Sequence, residues 1–80
     1  MQIHVNGELR ETAEGTTVSA LLFALDVRGD RVAVELNLEI LDRSEFPSRV
    51  LKAGDRVELM SFIGGGALSG HRLEGDRGRP

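Results

Sequence analysis

Few residues in this 80-residue chain are equipped for chemistry. It has no cysteine, so a thiolate nucleophile, a disulfide and a cysteine-based zinc or iron–sulfur site are all excluded. Its two histidines, His4 and His71, stand far apart, one in a strand pattern and one in the tail, and make a poor metal site. What remains is Gly64-Gly65-Gly66, directly after the run Val57-Glu58-Leu59-Met60-Ser61-Phe62-Ile63. A segment without Cβ atoms passes through a slot that excludes any larger residue. That suits a backbone that must reach into another protein's active site. Taken alone, the triplet is more simply a linker after the last strand of a small domain. The decision rests on what precedes it.

The run before the glycines reads as a strand, with Val57, Leu59 and Ser61 on one face and Glu58, Met60 and Phe62 on the other. The N-terminal Gln2-Ile3-His4-Val5 also alternates, and Asn6-Gly7 is a strong hairpin signal because both residues tolerate positive φ. A three-residue loop with a glycine bulge would pair Val5 with Leu9 and keep Glu8 off the core face, so that register is expected. His4 then points away from Ile3 and Val5 as a solvated strand residue. Thr16 or Thr17 is placed to cap a helix whose Val18, Leu21, Leu22 and Leu25 recur at the spacing of one buried face. Gly29 is the expected left-handed break after it.

Arg31 to Leu36 alternates again, with Val32, Val34 and Leu36 inward, and Asn37-Leu38 turns into a short strand at Glu39-Ile40-Leu41. Asp42 to Pro47 reads as a turn with a short 3₁₀ piece capped by Ser44. Phe46, with Val50 or Leu51, is expected to cover the open end of the core. The element order is that of an α+β domain. One main helix crosses one face of a mixed sheet of four to five strands, with the last strand inside the sheet beside the first. Residues 1–63 form this domain, 64–66 the glycine arm, and 67–80, without periodicity or apolar anchors, a disordered extension.

Composition narrows the function classes. Residues 1–66 carry 7 Lys/Arg against 11 Asp/Glu, and the chain has no Tyr or Trp and three Phe. An acidic body without stacking aromatics argues against nucleic-acid binding. The start lacks a signal-peptide pattern and no apolar run is long enough to span a membrane, so a cytoplasmic protein is expected.

Four segments in order carry a family resemblance: Met1 to Glu8, Glu14-Gly15-Thr16-Thr17-Val18, Val32 to Asn37, and Gly54-Asp55-Arg56-Val57-Glu58 running on to Ser61-Phe62-Ile63-Gly64-Gly65-Gly66. Together they resemble the ThiS family, sulfur carriers of thiamine biosynthesis, over residues 1–66. The resemblance implies a β-grasp (ubiquitin-like) fold and a protein that is not itself an enzyme. It has no catalytic residues, metal or bound cofactor of its own. It further implies that the carboxylate of Gly66, at the end of the Gly64–Gly65 arm, is adenylated by an ATP-using, E1-like adenylyltransferase (ThiF-like). A thiocarboxylate then forms with sulfur from a cysteine-derived donor, and a thiazole synthase (ThiG-like) receives it. Met60, Phe62 and Ile63, beside the arm, are the expected partner-binding residues, with Arg56, Glu58 and Glu35 as a polar surround. The competing reading covers the apolar residues with a helix or a neighbouring subunit, or turns Phe62 inward through a bulge.

Two departures from the family pattern stand out. Members commonly end at the glycine pair, whereas Gly66 is followed here by 14 residues, so a protease must expose its carboxylate or the product is not competent as it stands. Leu38 also occupies a turn position where glycine is frequent. Alternatives on the same fold are a small subunit of molybdopterin synthase, a ubiquitin-like protein modifier and a non-catalytic interaction module.

Overall fold

The computed structural model describes residues 1–63 and 67–72, with side chains described through Ser61. Strands β1 (Gln2–Val5) and β2 (Glu8–Glu11) form an antiparallel hairpin, followed by helix α1 (Val18–Ala24). Then come β3 (Val32–Leu36), β4 (Glu39–Ile40), β5 (Arg56–Ile63) and β6 (Ala67–Arg72), with 3₁₀ turns at Gly29–Arg31 and Arg43–Glu45. The sheet order is β2-β1-β5-β3-β4, with β6 also paired to β5. β5 runs parallel to β1 and antiparallel to β3. The mixed sheet with one helix across a face is the expected β-grasp architecture.

The helix is too short to stand alone. It has seven residues, where isolated helices need about 12–15 to be even marginally stable in water. Packing holds it: Val18, Leu21 and Leu22 are buried against Ile3, Val32, Val34, Leu36, Val57 and Leu59 of the sheet. Leu25 is only half-buried at the margin of that core. The helix start is closed by bonds to its orphan N–H groups. Val18 N donates to the Arg49 carbonyl, Ser19 N to the Phe46 carbonyl, and Ala20 N to Oγ1 of Thr17, the N-cap, at 3.1 Å. Phe46 and Leu51 close the end of the core while Val50 is 46% exposed, which settles the choice between Val50 and Leu51.

The helix end differs from expectation. The left-handed residue is Asp26, at φ 61°, and not Gly29. Asp26 N donates to the Phe23 carbonyl and Val27 N to the Leu22 carbonyl, a Schellman closure with aspartate where glycine is commoner. Gly29 instead lies against Phe46 and Leu22: a Cβ there would meet Phe46 at 3.5 Å. The Ser44 cap is likewise replaced. Asp42 stands at the N-cap of the 3₁₀ turn, and the Ser44 hydroxyl donates to Asp42 Oδ2 at 3.1 Å.

The first hairpin adopts the shorter loop. Val5 pairs with Glu8 and His4 with Leu9 around a two-residue turn in which Asn6 and Gly7 have φ of 50° and 84°. Such a turn matches the right-handed twist of the strands, and this outweighs the burial of Leu9. Because β2 is an edge strand, Glu8 opposite Val5 still reaches solvent and Leu9 is left 58% exposed. The core strands β3 and β5 alternate as read, with Val32, Val34, Leu36, Val57 and Leu59 all buried.

Residues 67–72, read from sequence as the start of a disordered extension, form β6 on the edge of β5. Residues 64–66 and 73–80, the arm and the rest of that extension, lie outside the described residues.

Asn6 is the buried polar side chain of the described core, 3% exposed. Its Oδ1 accepts from Leu59 N at 2.8 Å, and its own N–H donates to the Val57 carbonyl. Asn6→Gly keeps the positive-φ backbone but strands the Leu59 N–H, a loss of about 1–3 kcal/mol in urea denaturation. Asn6→Ala adds left-handed strain and should lose about 2–4 kcal/mol.

Candidate functional site

Gly64-Gly65-Gly66 follow β5 in the chain, so the candidate site is built from that strand and its neighbours. Helix α1 packs on the face formed by Ile3, Val32, Val34, Val57 and Leu59. The opposite face carries His4 and Leu9 beside Arg56, then Glu58 beside Glu35 and Ile40, then Met60 beside Ala33. This open face leads along β5 toward the glycines.

Met60 is half-buried on that face, between full exposure and the covered state. Of the expected surround, Arg56 is exposed while Glu35 and Glu58 are half-buried and directly opposite each other across β3 and β5. Two like charges in that register repel each other, and Arg56 lies on the same face at the start of β5. Phe62 and Ile63 fall within β5, but their side chains lie outside the described residues, as does the arm Gly64, Gly65 and Gly66. His4 is less solvated than expected: half-buried, with Nδ1 buried and without a hydrogen-bond partner.

The expectation at Leu38 resolves sharply. Asn37 and Leu38 have φ of 52° and 71°, so leucine occupies a left-handed position that glycine fills without cost. It is also 89% exposed, with Ile40 58% exposed in the strand that follows. Neither packing nor backbone preference accounts for leucine there, and strain of this kind clusters at working surfaces. Asn37 tolerates its own conformation and is put to use. Its Oδ1 accepts from Arg56 N at 2.9 Å, and its Nδ2 donates to Asp55 Oδ1 at 3.0 Å. Sequence reading named the turn but not this attachment to β5.

A second apolar feature, missed in the sequence, is Phe23, exposed on the outer side of α1 beside a shallow depression lined by Leu22, Val27 and Phe46. Its signal was available, because Phe23 falls outside the i, i+3, i+4, i+7 set that faces the sheet. Charge pairs lie mainly at the periphery. Arg28 holds Asp30 at 2.8 Å and its hydrogen bond keeps the Asp30 carboxyl below its usual range, on the exposed turn that leads into β3. Among the described residues no group of three or more His, Asp or Glu could hold a metal ion, and no helix is long and apolar enough to cross a membrane.

Comparison with known proteins gives this geometry its context. The model of the ThiS family matches residues 3–66, stopping at the third glycine. A thiazole synthase from Paramagnetospirillum magneticum is 43% identical over 67 residues, 84% of this chain and 21% of that protein. The chain therefore spans about a fifth of the length of the thiazole synthases it matches. The sulfur carrier protein ThiS of Escherichia coli is 35% identical over 66 residues, 82% of this chain and 100% of that one. A crystal structure of the thiamine biosynthesis protein ThiS from Geobacter metallireducens superposes with a TM-score of 0.73 at 43% identity, covering 82% of this chain and 100% of that chain.

Leu38→Gly tests the cost of the strained turn. Glycine relieves the left-handed strain but gives more freedom to the unfolded chain, so the net gain should be about 0.5–1 kcal/mol, read as a higher urea midpoint at unchanged slope.

Proposed function

The chain belongs to the ThiS family, and we propose that it carries sulfur as a thiocarboxylate on Gly66 and delivers it for formation of the thiazole ring of thiamine. The observation that carries this reading is the coincidence of two endpoints. The family match stops at Gly66, and the strand at the centre of the sheet runs out toward the same glycines. A rigid body with its middle strand aimed at a thin arm is suited to presenting a chain end to another protein's active site.

The chemistry follows from the weakness of a carboxylate as an electrophile. Water first cleaves the Gly66–Ala67 amide with a protease, leaving a carboxylate on Gly66 and a free amine on Ala67. That carboxylate attacks the α-phosphorus of ATP in an E1-like adenylyltransferase, and pyrophosphate leaves. A cysteine-derived sulfur nucleophile, equivalent to hydrosulfide, then adds to the acyl carbon and AMP departs. The mixed anhydride thus splits one hard displacement into two easier ones. This chain supplies the acyl group and its presentation, acting as co-substrate. ATP is bound and spent by the partner.

The receiving partner is a thiazole synthase. Similarity of most of this chain to about a fifth of each thiazole synthase supports that pairing, because the carrier-like segment and the name of the synthase occur there in one polypeptide. Met60, Phe62 and Ile63 are the partner-binding residues beside the arm, and the exposed Leu38 and Ile40 of the β3–β4 hairpin are a second apolar contact. A half-buried methionine suits an adaptable apolar contact with a partner. Such a carrier works in the cytoplasm, where ATP and the sulfur donor are available.

Two measurements check the reading. A chain ending at Gly66, incubated with the adenylyltransferase, ATP and the sulfur donor, should gain the mass difference between one sulfur and one oxygen atom; unchanged mass would reject the carrier role. Met60→Asp should weaken binding to the adenylyltransferase by about 1–3 kcal/mol while unfolding stays cooperative. Retained affinity would remove Met60 from the interface.

A further inference from the structure

The two neighbours of β5 end before it does. β1 pairs only at Arg56 and Val57, and Asn6 extends that side to Leu59 through its side chain. β3 reaches Ser61, opposite Val32. Beyond Ser61, the pairing described for β5 is with β6: Phe62 with Leu68 and Ile63 with Ala67. The last two residues of β5 therefore owe their strand pairing to the segment that follows the glycines.

β6 is poorly built for permanent pairing. Ala67-Leu68-Ser69-Gly70-His71-Arg72 contains neither a β-branched nor an aromatic residue. Its register shifts, because the next pair is Met60 with Arg72, so that Ser69, Gly70 and His71 together stand opposite Ser61. An interior glycine at such an irregularity weakens a strand further.

We propose that β6 is an autoinhibitory strap that holds Phe62 and Ile63 in the sheet, so that releasing it converts them from the end of β5 into the base of the arm. This rests on the reading of residues 64–66 as the working arm and adds a control on its reach. Three extended residues span at most about 10 Å and five about 17 Å, at roughly 3.3–3.6 Å each. The difference decides whether Gly66 clears the rim of a partner's active site or stops short of its floor. Cleavage after Gly66 then does two things at once. It creates the carboxylate, and it removes the strap's covalent tether, so that β6 is lost by dilution.

Backbone amide exchange tests this without any partner enzyme, so its outcome is independent of whether sulfur is carried. The full chain is compared with full-length Ala67→Pro, in which the residue opposite Ile63 can no longer donate to the pairing, and with the chain cut after Gly66. Exchange at Ile63, whose N–H falls on the β6 side because Val57 and Leu59 bond toward that edge, should be about tenfold or more faster in both altered chains. Val57 and Leu59, held by β1, β3 and Asn6, should keep their rates and report that the fold is intact. If either altered chain leaves Ile63 at its original rate, β6 is not the strap. Loss of thiocarboxylate formation with the exchange difference intact would instead overturn the carrier reading and leave the strap standing.

Discussion

Everything in this molecule hangs on how β5 is gripped. Two asparagines, Asn6 and Asn37, each open a tight turn in a left-handed conformation and each attach that turn to β5 by side chain and backbone together. Asn6 bonds Val57 and Leu59 on one flank; Asn37 bonds Arg56 on the other. The same residue type solves both problems because it alone combines tolerance of positive φ with an acceptor long enough to reach the neighbouring strand. Aspartate could reach, but would bring a charge into the buried position at Asn6. Glycine could turn, but would leave Leu59 N–H without an acceptor.

A second constraint sits at the other end of the core. The short helix needs its N-terminal N–H groups satisfied and the sheet needs a lid, and the segment from Phe46 to Leu51 does both. Its carbonyls accept from Val18 and Ser19 while Phe46 and Leu51 fill the space beneath. The helix is thus fixed by the residues that lead into β5. Packing of Val18, Leu21 and Leu22 contributes roughly 1.5–3 kcal/mol per side chain, larger than any single cap, but the caps decide where along the sheet that packing occurs.

The sequence made the architecture legible wherever hydrophobic period and location agreed. Val32, Val34 and Leu36 could belong only to a half-buried strand, and Val18, Leu21 and Leu22 only to one helical face. It was less informative where two local preferences competed. At the first hairpin, burial of Leu9 argued for the longer loop, but strand twist favoured the two-residue turn, and an edge strand can leave a leucine exposed. At the helix end, Gly29 looked like the obvious left-handed residue, yet Asp26 takes that role because the helix stops three residues earlier. The side-chain latches of Asn6 and Asn37 were invisible, since they depend on which strand lies alongside and not on spacing in the chain. For the candidate site, the position of Met60 on the open face followed from alternation, while its half-buried state depends on neighbours contributed by β3.

These constraints separate rigidity from reach along a single strand. From Arg56 to Ser61 each residue of β5 has a described partner on at least one side, supplied by β1, β3 or an asparagine turn. Beyond Ser61 the body offers none, because β3 begins at Val32 and the β1–β2 turn has already folded away. The extent of β5 held by the rest of the sheet is therefore set by the lengths of β1 and β3. Lengthening β3 backward by two residues would hold Phe62 and Ile63 in the sheet permanently. The 3₁₀ turn at Gly29–Arg31, tied through the Arg31 N–H to the Arg28 carbonyl, prevents that extension. A turn far from the glycines in sequence thus fixes where the pairing of β3 with β5 ends.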